Sequence, residues 1–198
     1  MTELSRRSFL WGAVAWAADP PANAERLARH RNLGKAFYEQ PTTMGRAVEE
    51  FRRALALAPG SPIDRVNLGL ALLRAGQNEE AVRELRTVQR EHPTVPHTWF
   101  NLGIVYKREG RLDEARLQFE RMIELAPDEP ISHYNLGALY KLAGRADAAV
   151  RELEIAAQLD PSLAAPHYQL SGILRQAGRT ADADRHLQAF QEIKKRME

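Results

Sequence analysis

The chain has 198 residues, 44% hydrophobic and 27% charged, enough for one or two domains. Its 28 basic and 26 acidic residues leave a formal net charge of +2. The sequence pI near 9.0 therefore reflects a slight excess on a balanced surface, not the basic footprint of a nucleic-acid binder. With no cysteine, a disulfide framework, a thiolate metal site and a cysteine nucleophile are excluded, and no low-complexity tract or long like-charge run marks disorder.

The first two dozen residues differ from the rest. Ser5-Arg6-Arg7-Ser8-Phe9-Leu10 opens an apolar run from Phe9 to Ala18, followed by Asp19-Pro20-Pro21-Ala22-Asn23-Ala24. A basic start, a short apolar stretch and a small-x-small site describe an export signal over residues 1–24. The apolar run would make a helix of roughly 15 Å, about half a bilayer core, so it predicts no membrane span. The string resembles a twin-arginine signal, with Trp11 where a lysine is common. That resemblance implies bacterial export of a folded protein, with Arg6 and Arg7 read by the translocase. The expected location is the periplasm or another exported compartment, the alternative being the cytoplasm. Cleavage is expected after Ala24, with Pro20 and Pro21 ending the apolar helix; Ala15 and Ala17 offer a second site. The competing reading is an uncleaved amphipathic lead-in that packs on the first helices after it.

From residue 27 onward a single period governs the sequence. Pro59, Pro93, Pro127 and Pro161 recur every 34 residues, as do Gly76, Gly110, Gly144 and Gly178. Gly69, Gly103 and Gly137 form a third ladder, and Pro62, Pro96 and Pro130 a fourth. Four independent ladders at one period identify a repeat array.

Each ladder has a local chemistry. Pro62, Pro96 and Pro130 suit the first position of a helix, where a missing N–H loses nothing. The Gly76 series follows about fourteen residues later, where a helix can close on a left-handed cap. The Pro59 series then stops a second helix. Glycine inside the first helix, at Gly69 and its equivalents, sacrifices about 1 kcal/mol against alanine. Its recurrence predicts close approach of the paired helix. In the third unit Trp99, Leu102, Val105 and Tyr106 share one helical face, and Ala115, Phe119, Met122 and Ile123 share another. Such a hairpin leaves apolar sides uncovered until neighbours stack on it.

These residues carry a family resemblance. Trp99-x2-Leu102-Gly103-x2-Tyr106, then Ala115-x3-Phe119 and Pro127, resembles the tetratricopeptide repeat at every marked position. The fourth unit keeps Leu136, Gly137, Tyr140, Ala149 and Pro161, with His133 in the tryptophan position. The second has Leu68, Gly69, Leu72, Ala81 and Pro93. The first reads Leu33-Gly34-x2-Phe37 with Ala47, Phe51 and Pro59, and has one extra residue in its Gln40–Gly45 turn. The fifth is the most divergent: Leu170, Ser171 for glycine, Leu174, Ala183 and Leu187, with Lys195 where proline belongs. The resemblance implies an all-α, right-handed α-α superhelix of five hairpins, at 27–60, 61–95, 96–129, 130–163 and 164–198. Asp184 and Gln191 stand where earlier units carry Val48, Val82, Val150, Leu55 and Ile123, so the outer face of the last hairpin reads as wettable.

In the family, first helices line a groove that receives an extended peptide or a partner helix, and that is the function implied here. Before each Leu-Gly pair stand Asn32, Asn67, Asn101 and Asn135, then Gln169. They resemble the asparagine ladder in the repeats of O-GlcNAc transferases. A carboxamide both donates and accepts hydrogen bonds, so it can hold peptide backbone without reading sequence; packing between repeats is the equal alternative. Nearby on the same helices are Lys35, Tyr38, Leu70, Phe100, Ile104, Lys107, Tyr134, Lys141, Tyr168 and Arg175. Lys107, Lys141 and Arg175 repeat at the period of 34. They would lay cations along a groove suited to carboxylates and apolar anchors, or serve as solvated helix-end charges. The carboxylate clamp that grips chaperone tails needs a Lys and an Arg four apart; His97/Asn101, Ile131/Asn135 and Ala165/Gln169 do not supply it.

Catalysis finds little support. His30, His133 and His167 occupy the Trp99 position and read as packing or groove-wall residues. No His-x3-His pair, phosphate loop or nucleophile elbow is present. The expectation is therefore a non-catalytic scaffold for a protein or peptide, with no metal, no cofactor and no membrane span after processing. Nucleic acid is not expected as a partner, and nothing sets an oligomeric state. An RNA-binding helical repeat is disfavoured by near-neutral charge. A structural subunit of an envelope assembly, docking through the opposite face or the edges, remains the alternative.

Overall fold

The computed structural model describes residues 21–197, all-helical with no strand among them. Arg6, Arg7 and Ala17 of the export signal lie outside the described residues; Ala24 is exposed in the first turn of the first helix. The helices are α1 (Pro21–Tyr38), α2 (Met44–Leu57), α3 (Pro62–Arg74), α4 (Asn78–Glu91) and α5 (Pro96–Arg108). They continue as α6 (Leu112–Leu125), α7 (Pro130–Leu142), α8 (Ala146–Leu159), α9 (Ala164–Gln176) and α10 (Thr180–Met197). The chain divides into two compact units between Asn101 and Leu102, within α5.

Local backbone chemistry sets the boundaries. At the start of α3, Pro62 follows Ser61, whose Oγ accepts the Asp64 N–H at 3.2 Å, a side-chain N-cap. At its end, Gly76 takes φ +77°, the left-handed region that glycine enters without strain. The Gly76 N–H then reaches Leu73 O and the Gln77 N–H reaches Leu72 O, closing the last turn as a Schellman motif. The same closure recurs at Gly110, Gly144 and Gly178. Second helices α2, α4, α6 and α8 stop two residues before Pro59, Pro93, Pro127 and Pro161. The α1–α2 turn differs. A short 3₁₀ turn over Pro41–Thr43 absorbs the extra residue, and Thr43 Oγ1 donates to Phe37 O at 2.7 Å.

In the first unit, α1 packs on α2, α2 on α3 and α3 on α4. Its core gathers Tyr38, Met44, Val48, Phe51, Val66, Leu68, Leu72 and Val88. In the second, α6 packs on α7, α7 on α8, α8 on α9 and α9 on α10. Leu153, Leu170, Ile173 and Leu174 anchor one of its clusters. The glycines within first helices do what their recurrence predicts. A Cβ on Gly69 would stand 2.9 Å from Leu85 and one on Gly103 2.7 Å from Phe119, both under van der Waals contact. Each bare backbone thus lets a large side chain of the second helix lie against it.

Candidate functional site

The first helices carry the predicted ligand residues, and their accessibility varies. Asn32, Lys35, Lys141, Tyr168 and Arg175 are exposed; Phe100, Ile104, Lys107, Tyr134 and Gln169 are half-buried. Tyr38, Asn67, Leu70, Asn101 and Asn135 are buried. Tyr38 is covered in part by Arg74, whose guanidinium lies 4.3 Å from the ring centroid and donates to Tyr38 O. Burial raises the Tyr38 phenol pKa, against the nearby Arg74 charge.

The carboxamide ladder is partly engaged with the protein itself. Asn101 Nδ2 donates to His97 O at 2.6 Å, and Asn135 Nδ2 to Ile131 O at 2.8 Å, each one turn back on its own helix. On the other side of Asn135, Lys107 Nζ donates to Oδ1 at 2.9 Å. One period later Lys141 Nζ donates to Gln169 Oε1. Each lysine therefore bridges from its own first helix to the carboxamide of the next. Burial lowers the Lys107 pKa. Arg175, third in the series, turns instead to Asp184 on α10 at 2.6 Å. In the first unit, the buried Asn67 Oδ1 has no hydrogen-bond partner; the residue in the lysine register one hairpin earlier is Tyr38.

A second periodic device lies at the position of Trp99. Arg65 donates to Glu84 at 2.8 Å and to Pro59 O at 3.1 Å. His133 repeats both contacts, with Nδ1 2.8 Å from Glu152 and Nε2 3.0 Å from Pro127 O. Trp99 Nε1 keeps the contact to the turn, donating to Pro93 O at 3.0 Å. His30 keeps the contact to the second helix, with Nδ1 2.6 Å from Glu50. Because both acceptors of His133 take protons, only the imidazolium satisfies them together. Its pKa is raised by the Glu152 hydrogen bond and, more weakly, by the Pro127 carbonyl, against the opposing effect of burial. His30 and His133 are thus tied to the second helix of their own hairpin, a contact compatible with either a packing or a groove-wall position.

Sequence reasoning did not identify the partners. Glu84, Glu152 and His186 each fall nineteen residues after the Trp99-position residue of their hairpin, and Glu50 falls twenty after His30 because of the extra turn residue. That register was the available signal. Nor was Asp64 singled out: it is fully buried, and Arg31 on α1 grips it through Nε at 2.8 Å and Nη2 at 2.6 Å. That bidentate grip fastens α1 to α3.

Among the described residues no group of three or more His, Cys, Asp or Glu is placed to hold a metal ion. None of their helices is long and apolar enough to cross a membrane.

Comparison with known proteins agrees with this architecture. One tetratricopeptide-repeat model matches residues 66–130 and another residues 130–154. No curated protein matches the chain. Among solved structures, MamA (residues 41 to the end) from Desulfovibrio magneticus RS-1 superposes with a TM-score of 0.75 at 18% identity, over 86% of this chain and 96% of that one. Another MamA crystal structure gives 0.71 at 15% identity, over 91% and 98%. A Pseudomonas aeruginosa PilF structure gives 0.77 at 18% identity, over 86% and 78%. At these identities the likeness is one of fold. The chain carries tetratricopeptide repeats through residues 66–154 on an all-α solenoid fold shared with MamA and PilF.

Proposed function

We propose that this chain is a non-catalytic protein-interaction scaffold whose first-helix groove receives an extended peptide or partner helix bearing carboxylates. The repeat fold supports an interaction scaffold in general terms. The finer reading rests on one observation: Lys107 and Lys141 are held by neutral carboxamides and have no ion pair among the described residues. Elsewhere the guanidinium groups of Arg31, Arg52, Arg65, Arg111 and Arg116 meet carboxylates. An ammonium resting on an amide dipole is fixed in place yet keeps its charge uncompensated. An incoming carboxylate would gain a charge-assisted bond there without breaking an existing pair. Ile104 and Tyr134 on the same helices, with Tyr168 on α9, would supply apolar contact for neighbouring side chains.

A synthetic peptide of alternating Glu and Tyr is a suitable probe, with a Gln/Tyr peptide as control. Fluorescence anisotropy should show the acidic peptide binding about tenfold more tightly, with the preference lost in Lys107→Glu/Lys141→Glu. Equal binding of both peptides, or an unchanged preference in that variant, would remove the carboxylate reading.

Exposed Leu117 on α6, with Ile155 and Leu159 on α8, favours a second reading, in which second helices dock a partner in an envelope assembly. If Leu117→Asp/Ile155→Asp loses the peptide while the lysine reversals keep it, the site moves there. Export belongs to the same proposal. The translocase would read Arg6 and Arg7, and processing after Ala24 would deliver the array to the periplasm. Mass spectrometry of periplasmic protein should find a start at Glu25, whereas an intact Met1 end would contradict cleavage.

A further inference from the structure

We propose that the last hairpin, α9–α10, is an acid-labile element whose docking is switched by the His167–His186 pair. Three of the other four hairpins fill the same place with a carboxylate partner; the third has Trp99, with Gln118 in the partner position. His30, Arg65 and His133 each meet a carboxylate of their second helix: Glu50 at 2.6 Å, Glu84 at 2.8 Å and Glu152 at 2.8 Å. In the fifth hairpin the carboxylate is replaced, and His167 Nδ1 lies 3.0 Å from His186 Nδ1.

The ring centroids are 5.2 Å apart. That exceeds the nitrogen separation by about twice the distance from ring centre to ring atom. The two nitrogens therefore lie nearly on the line between the rings, the arrangement of an N–H···N hydrogen bond. Such a bond needs one N–H and one lone pair. The two Nδ1 atoms can share only one proton between them, so the pair is neutral or singly charged. Protonating the acceptor places two N–H groups and two positive charges face to face at a site where both rings are half-buried.

The surrounding charges do not relieve this. Glu154, from α8, favours the proton on His186, as does Asp182 on α10, while Arg185 opposes it. Asp182 is already engaged by Arg179 and Arg185. Burial comes first among the causes and lowers the pKa of both histidines, with His167 adding to the effect on His186.

Each histidine releases its proton more readily when folded, so stability is present above the unfolded value of about 6.5 and is lost as pH falls below it. His133 responds in the opposite sense, because its pKa is raised. Acidification therefore tightens the α7–α8 tie and loosens the α9–α10 tie. Ala183 is the one fully buried side chain of the last helix, which otherwise meets α9 through the Tyr168–Phe190 ring contact and the Arg175–Asp184 ion pair, both at its surface. Helix α9 also carries Tyr168, Gln169 and Arg175, so release would remove them from the groove. That consequence alone rests on the groove reading.

Hydrogen exchange on the full chain, corrected for the intrinsic rate, tests the switch without any ligand. Between pH 7.5 and 5.0, protection of α9–α10 should fall by about tenfold for each unit by which the histidine pKa is depressed, while α7–α8 does not lose protection. His186→Glu restores the pairing used by the first, second and fourth hairpins and should reverse the response, with α9–α10 better protected in acid. His186→Gln keeps a hydrogen-bonding side chain without its own titration and should remove most of the acid sensitivity. Protection of α9–α10 that does not vary with pH, or the same acid loss in both variants, would overturn the proposal.

Discussion

The ammonium of Lys107 on α5 donates to the side-chain oxygen of Asn135 on α7 at 2.9 Å, while the same carboxamide donates to Ile131 O at 2.8 Å. The asparagine thus works in two directions, anchored on its own helix and holding a cation that belongs to the preceding hairpin. Packing between hairpins is thus one use of the ladder, and the proposed ligand site would be built on it.

Removing the carboxamide should therefore be felt in stability. Asn135→Leu leaves Lys107 half-buried without its acceptor and should lower unfolding stability by about 1–2 kcal/mol. Urea denaturation beside the unaltered protein measures it. No change would mean the bond does not persist in solution.

The glycines of the first helices give a prediction with two signs. Gly103→Ala sets a Cβ 2.7 Å from Phe119 and should destabilise by about 1–3 kcal/mol. Gly172→Ala meets nothing within 4 Å and should stabilise by about 0.4–1 kcal/mol through helix propensity and a less flexible unfolded chain. Thermal melts of the two variants should move in opposite directions.

The His133–Glu152 tie makes stability depend on pH. Because His133 is raised above its ordinary value, its contribution is fully present below about pH 6.5 and is lost as pH rises through the folded value. Glu152→Gln should cost most near pH 5.5 and much less near pH 9. Urea denaturation at the two pH values checks this, and a deficit larger at pH 9 would contradict it.

Much of the architecture was legible because each recurring residue answers a local backbone problem. Gly144 must enter φ +70°, Pro130 can open a helix without an N–H, and Pro127 stops the helix before it. None of these depends on a distant partner. The site was less legible because its decisive contacts join residues in different hairpins. Lys107 finds Asn135 twenty-eight residues away, a separation set by how two first helices lie together. Arg74 likewise reaches back thirty-six residues to donate to Tyr38 O. His167 and His186 were visible as histidines, yet only packing brings one opposite the other.

Reception of the ligand by the groove lysines is open to NMR of the lysine side-chain ammonium groups during titration with the Glu/Tyr peptide. Lys107 and Lys141 should shift together, saturate at one peptide concentration and return when salt is raised. Shifts confined to residues around Leu117 and Ile155, with both lysines unmoved, would contradict it.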